Sequence, residues 1–332
     1  MSKNETPKLL FDRASYRCSK VITNAYSTSF SLAIKFLHKD FVNPIHGIYG
    51  FVRLSDEIVD SFHEFPKQHL LERFKEETYR AIDEKISLNP ILNSFQFVVN
   101  EFGIEQSLID KFLASMEMDL RKEEYTQEKY EEYILGSAEV VGLMCLKVFT
   151  EGSHEMYESL KPSAMKLGSA FQKINFLRDL KDDYNELGRS YFPGIDVSKL
   201  DDETKREIEA DIKADFDAGY EGILKLPKKA RFGVYLAYAY YCALFTKISN
   251  IPSARILEER ISISKPQKAS LLFGSYFRHS FNLIQHHESF AHHFHSLVNR
   301  CRCSGAASSK HSSKHWRSLQ DRYRLLENAR GV

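Results

Sequence analysis

Along almost the whole chain, apolar residues recur at intervals of three and four. The pattern runs through 20–37 (KVITNAYSTSFSLAIKFL), 45–60, 69–87, 106–120, 128–149, 163–184, 203–226, 229–248 and 267–284. Residues so spaced share one face of an α-helix, and segments of this length are helices rather than strands. Alternating Val/Ile/Thr runs are almost absent. Glycine (15) and proline (9) are few for 332 residues. The breaks fall between the periodic segments: Asn43-Pro44, Asn89-Pro90, Glu151-Gly152-Ser153, Phe192-Pro193-Gly194 and Ile251-Pro252. The expectation is an all-α single domain over 10–284, built of roughly eight to ten helices.

Charge and cysteine content narrow the class. Lys+Arg number 46 against 45 Asp+Glu, so no basic excess points to a nucleic-acid partner. Hydrophobic residues make up 43% and charged residues 27%, which excludes collagen-like, disordered and disulfide-scaffold chains. Five cysteines, spaced without pairs except Cys301/Cys303, fit a reducing compartment. The start, MSKNETPKLLFDRASYR, lacks the apolar stretch of a signal peptide. The most apolar window, 232–246 (FGVYLAYAYYCALFT), is shorter than the ~18 residues of a membrane span and rich in tyrosine, so it reads as a buried helix. A cytoplasmic protein is expected. The segment 285–332 differs: it holds 7 of the 13 histidines and 8 Lys/Arg against 3 acids. It reads as a solvated, partly disordered basic extension, with a histidine metal tract and attraction to an anionic membrane as the alternatives.

Two acidic segments carry the chemistry. In YGFVRLSDEIVD (49–60), Asp56 and Asp60 are four apart, with Arg53 one turn earlier. In QKINFLRDLKDD (172–183), Asn175, Asp179 and Asp183 form an i, i+4, i+8 line, with Gln172 near the same face and Arg178 beside it. Carboxylates at i and i+4 stack on one helix face about 6 Å apart along the axis, and they repel unless a cation lies between them. Both lines are embedded in apolar periodicity, near the core, where unpaired carboxylates are costly. Hard oxygen donors suit Mg²⁺, which typically takes one or two carboxylates and completes its octahedron with water and phosphate oxygens. A diphosphate bridged by Mg²⁺ to two facing helices follows. A single D-x-x-x-D is usually an ordinary solvated edge; two in one helical chain, each beside an arginine, are less easily dismissed.

These segments resemble the squalene/phytoene synthase family, whose enzymes join two isoprenoid diphosphates head to head. The most specific stretch is QKINFLRDLKDDYNELGRSYFP (172–193), similar to Q-x-x-N-x-x-R-D-x-x-x-D followed by R-x-Y-x-P. Y-x-x-x-R-x-x-D-E-I-V-D at 49–60 is similar to the family's first aspartate motif, YSTSFSLA to its early serines, and GSAEVVG (136–142) to the small-residue kink after its active-site tyrosine. The likeness runs from Tyr16 to Ile284 and implies a class I isoprenoid synthase bundle around a central apolar cavity. It implies that Asp56, Asp60, Asn175, Asp179 and Asp183 hold Mg²⁺, with Mn²⁺ an acceptable substitute. Ser27, Ser29, Tyr49, Arg53, Gln172, Asn175, Arg178, Arg189 and Tyr191 would bind the diphosphates, and Tyr133 and Tyr241 would join the aspartates in catalysis. Asp119 matches a further acidic position.

The implied reaction ionises one diphosphate to an allylic cation, couples it to the second chain through a cyclopropyl diphosphate, and discharges a second cation. A proton loss ends in phytoene; hydride from NADPH ends in squalene. No G-x-G-x-x-G fingerprint is present. The expectation is phytoene from two geranylgeranyl diphosphates, without NADPH. The alternatives are squalene or dehydrosqualene from two farnesyl diphosphates, a terpene cyclase or chain elongator, and a non-catalytic assembly protein on the same fold. Elongators carry D-D-x-x-D, whereas here Glu57 follows Asp56. The basic amphipathic segment 265–284 is a candidate for peripheral contact with a bilayer.

Overall fold

The computed structural model describes residues 6–121, 125–182, 191–195, 200–280 and 284. Among them are thirteen α-helices, one π-helical turn and no strand. The helices are α1 (Pro7–Tyr26), α2 (Thr28–Ile34), α3 (Lys39–Asp60), α4 (Lys67–Glu84), α5 (Pro90–Phe102), α6 (Gln106–Asp119), α7 (Gln127–Ile134), α8 (Val140–Phe149), α9 (His154–Asp182), α10 (Asp202–Lys225), α11 (Lys228–Ser249), α12 (Ser253–Glu258) and α13 (Lys265–Ser280). The π turn, Leu135–Glu139, joins α7 to α8. No helix among the described residues is long and apolar enough to cross a membrane.

The count exceeds the expected eight to ten, in part because local caps divide or start helices that the apolar periodicity alone does not separate. The periodic segment 20–37 is two helices. Ser27 is extended (φ −139°, ψ 104°), and its hydroxyl accepts the Phe30 N–H at 3.2 Å, ending α1 and starting α2. Helix α5 begins at a strong signal: the Asn89 side chain accepts the Ile91 N–H at 3.0 Å, and Pro90 sits at the first helical position. The break expected at Asn43-Pro44 does not occur. Pro44 lies in the second turn of α3, where its ring removes one backbone bond, and the buried Phe41, Ile45, Ile48 and Phe51 hold the helix through it.

Helices α3 to α6 share a core of stacked rings. Phe51, fully buried, lies flat on Phe95 with centroids 3.9 Å apart, and meets Phe112 at 5.3 Å and Phe74 at 5.5 Å. Burying a ring of this size is worth roughly 2–3 kcal/mol. Helix α1 reaches α3 and α5 through small polar residues. Ser19 and Ser94 share a buried hydrogen bond of 2.6 Å, and a Cβ on Gly50 would fall 2.5 Å from Ser19 Oγ.

Helix α9 spans the other half. Its Lys173 donates to Asp211 and Asp215 of α10 at 2.5 and 2.6 Å, and Ser169 donates to Asp215 at 2.6 Å. Lys173 and Asp215 are both buried, so the pair fixes how α9 sits on α10 more than it adds net stability. On its other side α9 meets the π turn. A Cβ on Gly168 would stand 2.7 Å from the Ala138 carbonyl oxygen, and one on Gly136 would stand 2.5 Å from that of Lys111. Only glycine allows these backbones to approach so closely. The GSAEVVG segment is therefore a real irregularity within a helix, of a kind often found at functional sites.

Candidate active site

A cavity of about 460 Å³ lies between α2, α3, α8, α9, α10 and α11. Helix α3 presents Ile45, Tyr49, Val52, Arg53, Asp56 and Asp60 to it, an i, i+4, i+7, i+8, i+11, i+15 stripe. The same helix turns Phe51, Ile58 and Val59 to the core, so its two faces are set by sequence spacing alone. Helix α9 contributes Leu160, Ala164, Gly168, Phe171, Gln172, Asn175, Arg178 and Asp179. On both helices the apolar residues precede the polar ones, so each brings its carboxylates to its C-terminal turns. A helix C-terminus carries partial negative charge, which adds to that of the aspartates and draws cations.

Arginines answer that charge in the structure. Arg53 donates to Asp56 at 3.1 Å and to Glu57 at 3.1 Å, and its guanidinium lies 4.8 Å from the Tyr26 ring centre. Across the cavity mouth, Asp179 receives Arg178 in bidentate fashion, with Nε at 2.9 Å, and Arg260 Nε at 2.6 Å. The two carboxyls differ in consequence. Burial, with Asp60 and Glu57 close by, pushes Asp56 up to about 7 in spite of Arg53. Burial acts on Asp179 too, but the paired arginines outweigh it and hold the carboxyl below the usual range.

Aromatic rings line the middle. Phe171 stacks on Tyr241 at 4.0 Å, and Phe30 meets Tyr49 at 5.1 Å and Tyr241 at 5.6 Å. Tyr241 donates to Asn175 Oδ1 at 3.3 Å, tying the aromatic wall to the polar end. Below the aspartates, the buried Asp119 accepts Tyr133 at 2.9 Å and Tyr191 at 3.5 Å. Burial raises the hydroxyls of Tyr49 and Tyr133 well above the usual tyrosine value, so both stay protonated.

The donors suit a hard divalent cation. Asp56, Asp60, Asn175 and Asp179 face one cavity, and the neighbouring Asp60 and Glu57 add to the burial that raises the Asp56 carboxyl, a repulsion that a divalent cation would relieve. Among the described residues no three carboxylates or imidazoles converge on a point. Ions here would be held by one or two carboxylates each and completed by water and ligand oxygens, the habit of Mg²⁺.

A sequence profile of squalene/phytoene synthases matches residues 23–267, nearly three-quarters of the chain, from the last turn of α1 to the start of α13. The chain belongs to the squalene/phytoene synthase family. It is thus an enzyme of a divalent-metal-dependent prenyltransferase family that joins prenyl diphosphates head to head. A 4,4'-diapophytoene synthase of Staphylococcus haemolyticus is 25% identical over 276 residues, which cover 76% of this chain and 93% of that protein. Phytoene synthase 1 of Solanum lycopersicum is 25% identical over 261 residues, 72% of this chain and 62% of its own length. In three dimensions, a dehydrosqualene synthase solved with a ligand superposes with a TM-score of 0.67 at 20% identity, covering 80% of this chain and 96% of that one. A squalene synthase, HpnC, from Alicyclobacillus acidocaldarius gives 0.64 at 19% identity, covering 76% and 97%. These likenesses establish the class I isoprenoid synthase bundle.

Of the residues the sequence singled out, Ser27, Tyr49, Arg53, Asp56, Asp60, Tyr133, Gln172, Asn175, Arg178, Asp179, Tyr191 and Tyr241 line the cavity of this family member. Ser29 does not; Ser27 and Phe30 take the wall there because α2 starts at the Ser27 cap and turns position 29 aside. Asp183 and Arg189 lie outside the described residues, as does 285–332. The sequence reading missed Arg260, which reaches Asp179 from the loop between α12 and α13 and has no motif around it. It also missed Gly168, Gly219 and Gly222, small residues that leave the lower wall open.

Proposed function

We propose that this enzyme condenses two geranylgeranyl diphosphates head to head into phytoene, releasing diphosphate and using no NADPH. The reading rests on one observation: two carboxylate-and-arginine groups, from α3 and α9, face the polar end of a cavity whose remaining walls are aromatic and aliphatic. Mg²⁺, when bound, would supply the charge that lets an allylic diphosphate depart. Asp56, Asp60, Asn175 and Asp179 would hold it, with Asp183 as a further ligand. Arg53, Arg178, Arg189 and Arg260 would pair with phosphate oxygens, a contact suited to a planar guanidinium.

The allylic cation then lies among Phe30, Tyr49, Phe171 and Tyr241, whose ring faces stabilise positive charge. The second chain's double bond attacks it, and loss of a proton from the resulting cation closes a cyclopropyl diphosphate. Loss of that second diphosphate and rearrangement give another cation, and proton release forms the product. Asp119 fixes the Tyr133 and Tyr191 hydroxyls at the cavity wall, so these rings are oriented before substrate arrives. The aliphatic lower wall keeps out water that would quench either cation.

A second reading has support: the relatives include a diapophytoene synthase at the same 25% identity as a phytoene synthase. Two farnesyl diphosphates would then be the substrates. Purified protein with Mg²⁺ is assayed on each diphosphate, with and without NADPH, and the products are identified by mass. Phytoene from geranylgeranyl diphosphate without NADPH is expected. Product from farnesyl diphosphate alone reassigns the substrate, and a requirement for NADPH reassigns the final step. Asp56→Ala and Asp179→Ala should each abolish turnover with the helical signal intact; activity within about tenfold of wild type would refute the role given to these carboxylates.

A further inference from the structure

We infer that Glu57 and Tyr26 are positioning residues for Arg53, holding its guanidinium so that it meets a diphosphate when Asp56 turns to a metal ion. Glu57 is 8% exposed and does not line the cavity that Asp56 and Asp60 face. Its place is unfavourable for the helix itself. It stands in the last turn of α3, which holds no basic residue, and the helix end there already carries partial negative charge. An arginine followed four residues later by an acid is also the weaker order for such a pair. Helix stability does not account for a buried carboxylate at this position; holding Arg53 does.

Three groups cage the guanidinium. Nη1 donates to Asp56 Oδ2 at 3.1 Å, Nη2 donates to Glu57 Oε1 at 3.1 Å, and Cζ lies 4.8 Å from the centre of the Tyr26 ring. Such a ring face attracts a cation. Glu57 also lies near enough to the Tyr26 hydroxyl to raise it, so ring and carboxylate adjoin. Tyr26 and Arg53 both line the cavity. The Arg53 Nε is buried and has no hydrogen-bond partner. A buried donor left unpaired is costly, and an oxygen of a ligand would satisfy it.

The cage has a use once Asp56 is shared with a divalent ion. Nη1 then loses its carboxylate, while Nη2 stays on Glu57 and the guanidinium plane stays against Tyr26. The freed edge is kept at the polar end of the cavity, and less rotamer freedom is lost when a phosphate oxygen arrives. Charge alone argues the other way. Glu57 is an anion close to where an anion binds, so by repulsion its neutralisation would strengthen binding. A positioning carboxylate must outweigh that repulsion, which gives the two accounts opposite signs. The inference rests on the diphosphate role given to Arg53 and not on the length of the prenyl chain.

Inorganic diphosphate with Mg²⁺ is titrated into the full-length protein by calorimetry. Glu57→Gln removes the charge and keeps the shape, and should weaken binding about tenfold. Tyr26→Leu should weaken it too, whereas Tyr26→Phe keeps the ring and should bind within about twofold of wild type. In an Arg53→Ala parent, Glu57→Gln should weaken nothing further, because the residue it positions is gone. Melting temperatures measured without metal check that each variant is folded. Tyr26 is half-exposed, so its variants test the cage even where Glu57→Gln lowers stability. Equal or tighter binding by Glu57→Gln or by Tyr26→Leu overturns the inference. A tenfold loss that persists in the Arg53→Ala parent overturns it as well, since Glu57 would then act without the arginine. Wild-type binding by Arg53→Ala itself overturns both the inference and the diphosphate role of Arg53. Weak binding by Arg53→Ala beside an unaffected Glu57→Gln overturns the inference alone.

Discussion

His46 sits on α3 two turns before Arg53, is 1% exposed, and neither ring nitrogen has a hydrogen-bond partner. Burial, reinforced by Lys20 and Lys35, lowers it from 6.5 to about 4. The folded protein therefore holds a neutral imidazole where the unfolded chain takes up a proton. Between pH 4 and 6.5 the unfolded state binds more protons, so stability rises with pH and is lost as pH falls. From those two values the loss at pH 5 is about 2 kcal/mol relative to pH 8. For a chain of this size each kcal/mol moves the melting temperature by about 2 °C, so the effect is ~4 °C. His46→Leu keeps much of the volume and removes both the proton site and the unpaired nitrogens. Thermal melts by circular dichroism from pH 5 to 8, in chelator, should show the variant gaining on wild type as the pH is lowered. The comparison must be between the two proteins, because Asp56 pulls the other way: its carboxyl, held up to about 7, favours the folded state at low pH. A constant difference between variant and wild type across this range, or a variant less stable at pH 5, would refute the reasoning.

Two further outcomes follow from the packing of α9. Lys173→Met leaves Asp215 buried without its nearest cation and should cost about 3 kcal/mol in urea unfolding, well beyond a surface lysine such as Lys213. Gly168→Ala drives a Cβ to 2.7 Å from the Ala138 carbonyl and should cost about 1–3 kcal/mol while lowering turnover, since α9 and the π turn must part at the cavity wall. Wild-type stability in either variant would show that the contact is not as close as described.

The second motif was the most legible part of the site. Gln172, Asn175, Arg178 and Asp179 reach the cavity because 3.6 residues per turn leaves them no other face once Ile174 and Leu177 are buried. The first motif was legible for the same reason. The helices were read well where apolar spacing was unbroken and less well at their ends. Ser27 splits one periodic run by a side-chain cap, and Pro44 fails to mark the start of another because burial outweighs one lost bond.

What the sequence alone determined is the helical class, the faces of α3 and α9, and the pairing of acid with arginine on each, since all three follow from spacing along one helix. Tertiary structure decided which helices meet. It brought Arg260 to Asp179 across 81 positions, set Asp119 between Tyr133 and Tyr191, and opened a cavity where glycines let helices close on one another. Such contacts join residues with no fixed interval between them, and only the packing of whole helices determines their distance.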